Sequence, residues 1–354
     1  MDVADRRDPT AGTSGPTPVA PRVPPSASSD EPALEDRVRV LVCTGGEILE
    51  IDDPAEAHEA LADPDARAWI DLVDPSPERV ERIAAKLGLH PLIAEDILER
   101  NQRAKVEEID GDLHIVIFDL RFDGEVKLTE VDIVLGERFL LTSHEAAFEP
   151  LALPQLRSGA APLLARGHDY LLYAMLDGIV DGYFPVLDQL SEDLDSLEDA
   201  VIETPTSWTL QRLFTLKREL MALRRATSPA REVLNQLTNR ESSRIRPEHI
   251  LYFRDVYDHL IRVADEVDND RELVAGTLDV YLSTVNNNLS AIMKRLTGVT
   301  VILAGIGAVA GIFGMSEAGA VFDGAEHPGF WMVSAAIVVL AGITAVILRR
   351  IDWI

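Results

Sequence analysis

The chain has 354 residues, enough for two or three structural units, and carries 60 acidic against 33 basic residues for a net charge of -27. That excess argues against nucleic-acid binding, which needs a basic face to displace counterions, and fits cations as partners. The single cysteine, Cys43, excludes an intrachain disulfide framework and a thiolate zinc site and suits a largely cytosolic chain.

The N-terminus has no apolar core, so no signal peptide is expected. Residues 1–36 are rich in Pro, Ala, Ser and Thr without apolar periodicity, which predicts a disordered tail. From Val38 the texture changes. Residues 38–42, 68–72, 113–118, 131–135 and 139–142 predict strands, and 77–87 and 91–99 predict helices. The mixture makes residues 37–160 a compact cytosolic α/β domain.

Residues 161–296 read as a helical stalk. Apolar or small residues recur at Phe253, Tyr257, Leu260, Ala264, Val267, Val274, Leu278, Tyr281 and Val285, a heptad seam that Arg271 alone breaches. It continues through Leu289, Ile292 and Leu296 into an apolar segment. One helix over 247–316 would be on the order of 100 Å long, a stalk leaving a membrane.

Residues 297–316 and 330–348 contain no charged side chain, and each suits a transmembrane helix, making 297–354 a membrane domain. Lys294 and Arg295 precede the first span and Arg349 and Arg350 follow the second, while the loop 317–329 has acidic residues but no Lys or Arg. By the positive-inside rule this is a multi-pass protein of the inner (plasma) membrane with both termini cytoplasmic. Trp331 and Trp353 suit the two interfaces. The first span is lined with small residues, Gly307 and Gly311 among them, which lets identical helices approach closely. Packing is at least as good a reason for that stripe as pore lining. A span of this kind cannot conduct alone, so a pore would lie on the axis of a homo-oligomer held by the seam and the first span.

Several stretches resemble the CorA family of magnesium transporters. Tyr252-Phe253-Arg254-Asp255-Val256-Tyr257-Asp258-His259 is similar to the start of the family's stalk helix. Met293-Lys294-Arg295-Leu296-Thr297 is similar to its membrane entry. His90-Pro91-Leu92 with Glu95-Asp96-Ile97-Leu98, and Asp169-Tyr170-Leu171-Leu172-Tyr173, resemble helices of its cytosolic part. The resemblance runs from about residue 38 to the end. It implies an α+β membrane protein with a cytosolic α/β domain, a long stalk and two C-terminal spans per subunit, assembled as a homopentamer.

The family's Gly-Met-Asn signature is here Gly314-Met315-Ser316, preceded by Phe313. Serine offers one hydroxyl where the family offers an amide. Ser290 stands where an Asn ring is common in the family, Gly307 where Thr is common and Gly305 where Pro is common. The resemblance makes Gly314, Met315, Ser316, Ser290 and Gly307 pore or filter residues. Magnesium sheds water reluctantly, so weak polar rings that hold the hydrated ion are sufficient. Glu317 could concentrate cations at the mouth or be a solvated loop charge. Met293 and Leu296, facing an axis, would form apolar rings that gate by dewetting, and they also serve as seam residues.

The resemblance further makes Asp96 and Asp255 the main pair sensing cytosolic magnesium between neighbouring subunits, with Glu95 and Asp177 at a second site. Bare acidic surfaces repel and a cation bridges them, which biases one state. The chain contains no phosphate-binding loop ending in Gly-Lys-Ser/Thr, so pumping or another enzymatic activity by this chain is not expected. An inside-negative potential of about 2.3 kcal/mol per charge per 100 mV can drive passive uptake. The expectation is Mg2+ uptake, with Mg2+ both cargo and regulator and no organic cofactor. The altered pore residues leave two alternatives open: a zinc, cobalt or nickel transporter of the same fold, or a non-conducting membrane-anchored cation sensor or scaffold.

Overall fold

The computed structural model describes residues 37–45, 47–51, 60–239, 244–314 and 328–350. The expectations for residues 1–36 and for Met315, Ser316 and Glu317 lie outside the described residues.

Strands β1 (Arg37–Thr44), β2 (Glu47–Ile51), β3 (Arg67–Val73), β4 (Lys105–Ile109), β5 (Asp112–Phe122), β6 (Val126–Leu135) and β7 (Phe139–His144) form one sheet in the order β2-β1-β3-β7-β6-β5-β4. β3 and β7 pair in parallel, with Ile70 opposite Leu141, and every other neighbour is antiparallel. β2 and β4, which the sequence pattern does not single out, are the two edges. β2 is almost wholly exposed and β4 only partly buried, and Glu47, Glu50, Glu107 and Glu108 interrupt the apolar alternation that marks a strand.

The sheet buries both faces because alternate residues point to opposite sides. Val40, Val42, Ile70, Leu72 and Leu141 pack beneath helices α1 (Pro77–Leu87) and α2 (Pro91–Glu99). Both helices begin with proline at the first turn, where its missing N–H is harmless. Ser76 caps α1 by accepting from the Arg79 N–H, and Gly88 ends it at φ 71°. α2 ends at Arg100, a non-glycine at φ 43°. Its guanidinium holds that conformation by donating to Asp74 (3.2 Å) and to the His144 carbonyl (3.2 Å).

On the other face Trp69, Ile115, Ile117, Ile133 and Leu140 meet α3 (Ala161–Arg166), α4 (His168–Asp181), α5 (Tyr183–Glu203), α6 (Ser207–Asn239) and α7 (Ile250–Gly314) in one continuous core. Tyr183, fully buried, donates its hydroxyl to the Phe118 carbonyl (2.5 Å) and ties α5 to β5.

At 65 residues α7 is roughly 100 Å long, as the seam predicts. The seam is divided, however. Phe253, Leu260, Val267, Val274 and Tyr281 are buried against α5 and α6 of the same chain. At the Arg271 breach the buried position passes to Asp270, which accepts from Ser191 (2.7 Å). Beyond Tyr281 the helix leaves its partners, and Val285, Leu289, Ile292 and Leu296 are exposed. Only that lower part of the seam is free to join copies of the chain, a narrower contact than the full seam suggests. α8 (Pro328–Arg350) lies against α7.

Candidate functional site

The start of the stalk is fixed by an ion pair on a buried acid. Asp169, 1% exposed, accepts from the Arg246 backbone N–H (3.0 Å) and guanidinium (2.8 Å), and lies 2.9 Å from Nδ1 of His249. Burial works against its charge, but the Arg246 hydrogen bonds prevail and hold the Asp169 carboxyl below the usual carboxylate range. This knot sets α4 and α7 side by side in parallel. Asp169 meets His249, Tyr173 meets Tyr252 (5.0 Å between rings) and Phe253, and Asp181 meets His259. Each step down α4 is four residues, one helical face.

The last turn of that face is an acidic cluster. Gln155 Nε2 donates to both Asp177 Oδ2 and Asp181 Oδ2, each at 2.8 Å. His259 Nδ1 lies 3.3 Å from Asp181 Oδ1, and its Nε2 lies 3.9 Å from Asp255 Oδ2. Ligand atoms of Asp177, Asp181 and His259 fall within 4.8 Å of one another. Burial raises the Asp177 carboxyl above its ordinary value; the Gln155 hydrogen bond opposes this, while the Asp181 and Asp255 charges add to it. Burial, with the charges of Asp177 and Asp255, pushes the Tyr173 hydroxyl up to about 12. Two carboxylates and an imidazole, with the exposed Asp255 beside them, form an oxygen-rich donor set that suits a hydrated divalent cation.

Asp96 belongs to a second group. On α2, half-buried, it accepts from Lys105 Nζ (2.6 Å) and Gln102 Nε2 (3.1 Å), with Glu107 and His114 alongside. Lys105 also donates to Glu107 (3.0 Å), so an internal ammonium stands where a cation would be drawn. Glu95 points outward from the same turn. Within one chain, then, Asp177 and Asp255 come together and Asp96 sits in another group. Asp181, His259, Gln155 and Lys105 were missed in the sequence. The i, i+4 pairs Asp177/Asp181 and Asp255/His259 were the available signal.

Further down α7, Ser290, Met293, Leu296 and Gly307 are exposed, and at about 100° per residue they share one stripe of roughly 120° with Gly311 and Gly314. Nothing lies within 4 Å of where a Gly307 Cβ would stand. Apolar side chains around them, including Ile292, Val299, Val301 and Leu303, are also exposed, an apolar surface too long for water. Among the described residues, α7 is the helix whose length and apolar composition suffice to cross a membrane.

Residues 65–350 match the model of the CorA-like Mg2+ transporter family. The chain is 36% identical over 285 residues to the cobalt/magnesium transport protein CorA of Thermotoga maritima, covering 78% of this chain and 80% of that protein. It is 22% identical over 303 residues to the zinc transport protein ZntB of Cronobacter sakazakii, covering 84% and 90%. The complete structure of the CorA magnesium transporter from Methanocaldococcus jannaschii superposes with a TM-score of 0.74 at 26% identity, covering 90% of this chain and 99% of that one. Family match, relatives and fold agree with the arrangement of sheet, helices and long stalk helix, and the chain belongs to the CorA family.

Proposed function

We propose that the chain is a subunit of a homopentameric membrane channel that carries Mg2+ into the cell, down the membrane potential, under the control of cytosolic Mg2+. The observation that carries this reading is α7. One uninterrupted helix bears Asp255 and His259 in an acidic cluster at one end and an uncharged, exposed apolar segment at the other. A change at the acidic end can therefore be transmitted along a single rigid element. Divalent cation transport is supported by the relatives named as cobalt/magnesium transport proteins.

In the assembled ring the stripe of Ser290, Met293, Leu296 and Gly307 faces the axis. Ser290 offers a ring of hydroxyls to a hydrated ion, and Met293 and Leu296 close the path by excluding water. Gly314, Met315 and Ser316 form the outer filter, with Glu317 at its mouth. α8 is the second span, and Lys294, Arg295, Arg349 and Arg350 keep both termini in the cytoplasm.

Asp96 of one copy and Asp255 of the next hold the regulatory ion between them, with Glu95 and Asp177 at the second site. Lys105 is an internal competitor for Asp96, and Asp181 keeps the Asp177 side strongly negative. The acids repel across the interface until bridged, which favours the closed state when cytosolic Mg2+ is high.

The test is Mg2+ flux into liposomes holding the full-length protein, driven by an inside-negative potential. Uptake that stops as lumenal Mg2+ rises supports the reading. Absence of flux for Mg2+, Co2+, Ni2+ and Zn2+ alike refutes it in favour of a non-conducting sensor. Flux of Zn2+ without Mg2+ assigns the chain to zinc transport, which the likeness to ZntB favours as second reading.

A further inference from the structure

In a chain of net charge -27, four arginines converge on one cavity of about 580 Å3 that no carboxylate lines. Arg103 comes from the loop before β4, Arg224 and Arg225 from α6 and Arg271 from the stalk. Arg224 and Arg271 share a single acid, Asp268, each at 2.7 Å. Arg103 and Arg225 have no ion-pair partner among the described residues. Two guanidiniums on one carboxylate and two with no ion pair give the cavity an excess of positive charge, which an anion would relieve. The cavity falls in the size range of small-molecule sites. Its floor is apolar: Phe118 is half-buried, and Met221 is exposed beside it.

We propose that this cavity binds a nucleoside polyphosphate. Guanidinium forks are suited to phosphate oxygens, and an aromatic ring with a thioether is suited to the flat face of a base. A lipid headgroup does not fit, because Arg271 lies 26 residues, about 39 Å of helix, from Thr297, where the uncharged segment begins. The cavity touches two elements of the proposed ion response: Arg271 belongs to the stalk, and Gln102, also in its wall, donates to Asp96 (3.1 Å). Occupancy therefore joins the α/β layer to α7 beside a sensing carboxylate. The binding itself does not depend on the transport reading.

The test is calorimetric titration of full-length protein in detergent with ATP, pyrophosphate or adenosine, in EDTA so that metal sites stay empty. ATP is expected to bind more tightly than pyrophosphate, adenosine least, and ATP binding is expected to weaken as salt rises. The double variant Arg103→Ala/Arg225→Ala, altered at exposed positions, is expected to lose at least tenfold in ATP affinity with unchanged unfolding temperature. Phe118→Leu is expected to narrow the preference for ATP over pyrophosphate. Absence of saturable ATP binding overturns the proposal, as does a double variant that binds like the parent. Equal affinity for ATP and pyrophosphate refutes the nucleoside. If the parent binds none of the three and Arg103→Glu/Arg225→Glu dissociates the oligomer, the arginines face an acidic neighbour and the proposal falls.

Discussion

Asp177→Asn separates a metal site from an ordinary buried polar network by the sign of its effect. Asp177 and Asp181 bring carboxylate oxygens within 4.8 Å of each other, and Gln155 donates to both. At that distance two unit charges repel by roughly 1 kcal/mol in water and by about 3.5 kcal/mol at an effective dielectric of 20. The amide of Asn keeps an oxygen that can accept from Gln155 and removes the repulsion. Without divalent cations the variant is expected to be more stable than the parent by about 1 kcal/mol, the lower bound, because the cluster is open to solvent on the Asp255 side. With millimolar Mg2+ the order reverses. The parent gains stability by mass action, about 2.7 kcal/mol when the ion is a hundredfold above its dissociation constant, and the variant gains less. The assay is thermal unfolding of the full-length protein in detergent, in EDTA and in Mg2+. Lower stability of Asp177→Asn in EDTA, with an undiminished Mg2+ increment, would refute the reasoning and make Asp177 a structural hydrogen-bond acceptor.

Asp96→Asn and Asp255→Asn are each expected to reduce the protection that Mg2+ gives against proteolysis and to raise flux at high cytosolic Mg2+; unchanged protection in the double variant makes Asp255 a solvated surface acid and Asp96 an internal partner of Lys105. Ser316→Asn is expected to sharpen preference for Mg2+ over Co2+, Ni2+ and Zn2+ in competitive uptake, and Ser316→Ala to weaken binding at the mouth, whereas identical selectivity in all three forms removes Ser316 from the filter. His168, whose imidazole burial pushes down to about 4, stays neutral in the fold while the unfolded chain protonates near its ordinary value. Its contribution is therefore lost as pH falls from about 6.5 through about 4, an acid limb of about 3 kcal/mol that His168→Gln should flatten in pH-dependent denaturant melts.

Much of the architecture was legible because it is written in local patterns. Proline at the first helical turn and a glycine stop delimit 77–87 as the α1 helix. The unbroken run of helix formers and apolar steps after Pro247 predicts one helix, and the structure carries it to Gly314. Periodicity reports which residues share a face, not what that face meets. The seam residues from Phe253 to Tyr281 turn out to be buried against α5 and α6, helices of the same chain. The edge strands β2 and β4 escaped notice because an edge buries little and needs no alternation. Contacts between distant segments were likewise beyond the pattern. Gln155 reaches Asp177 and Asp181 from a 3-10 turn 22 and 26 residues earlier, and Arg246 fixes Asp169 across 77 positions. Arginines scattered over three segments read as surface charge; only the packing of α6 and α7 against the sheet gathers Arg103, Arg224, Arg225 and Arg271 around one cavity. Sequence determines local conformation and burial tendency, whereas electrostatic sites depend on distances between segments, which the tertiary fold alone decides.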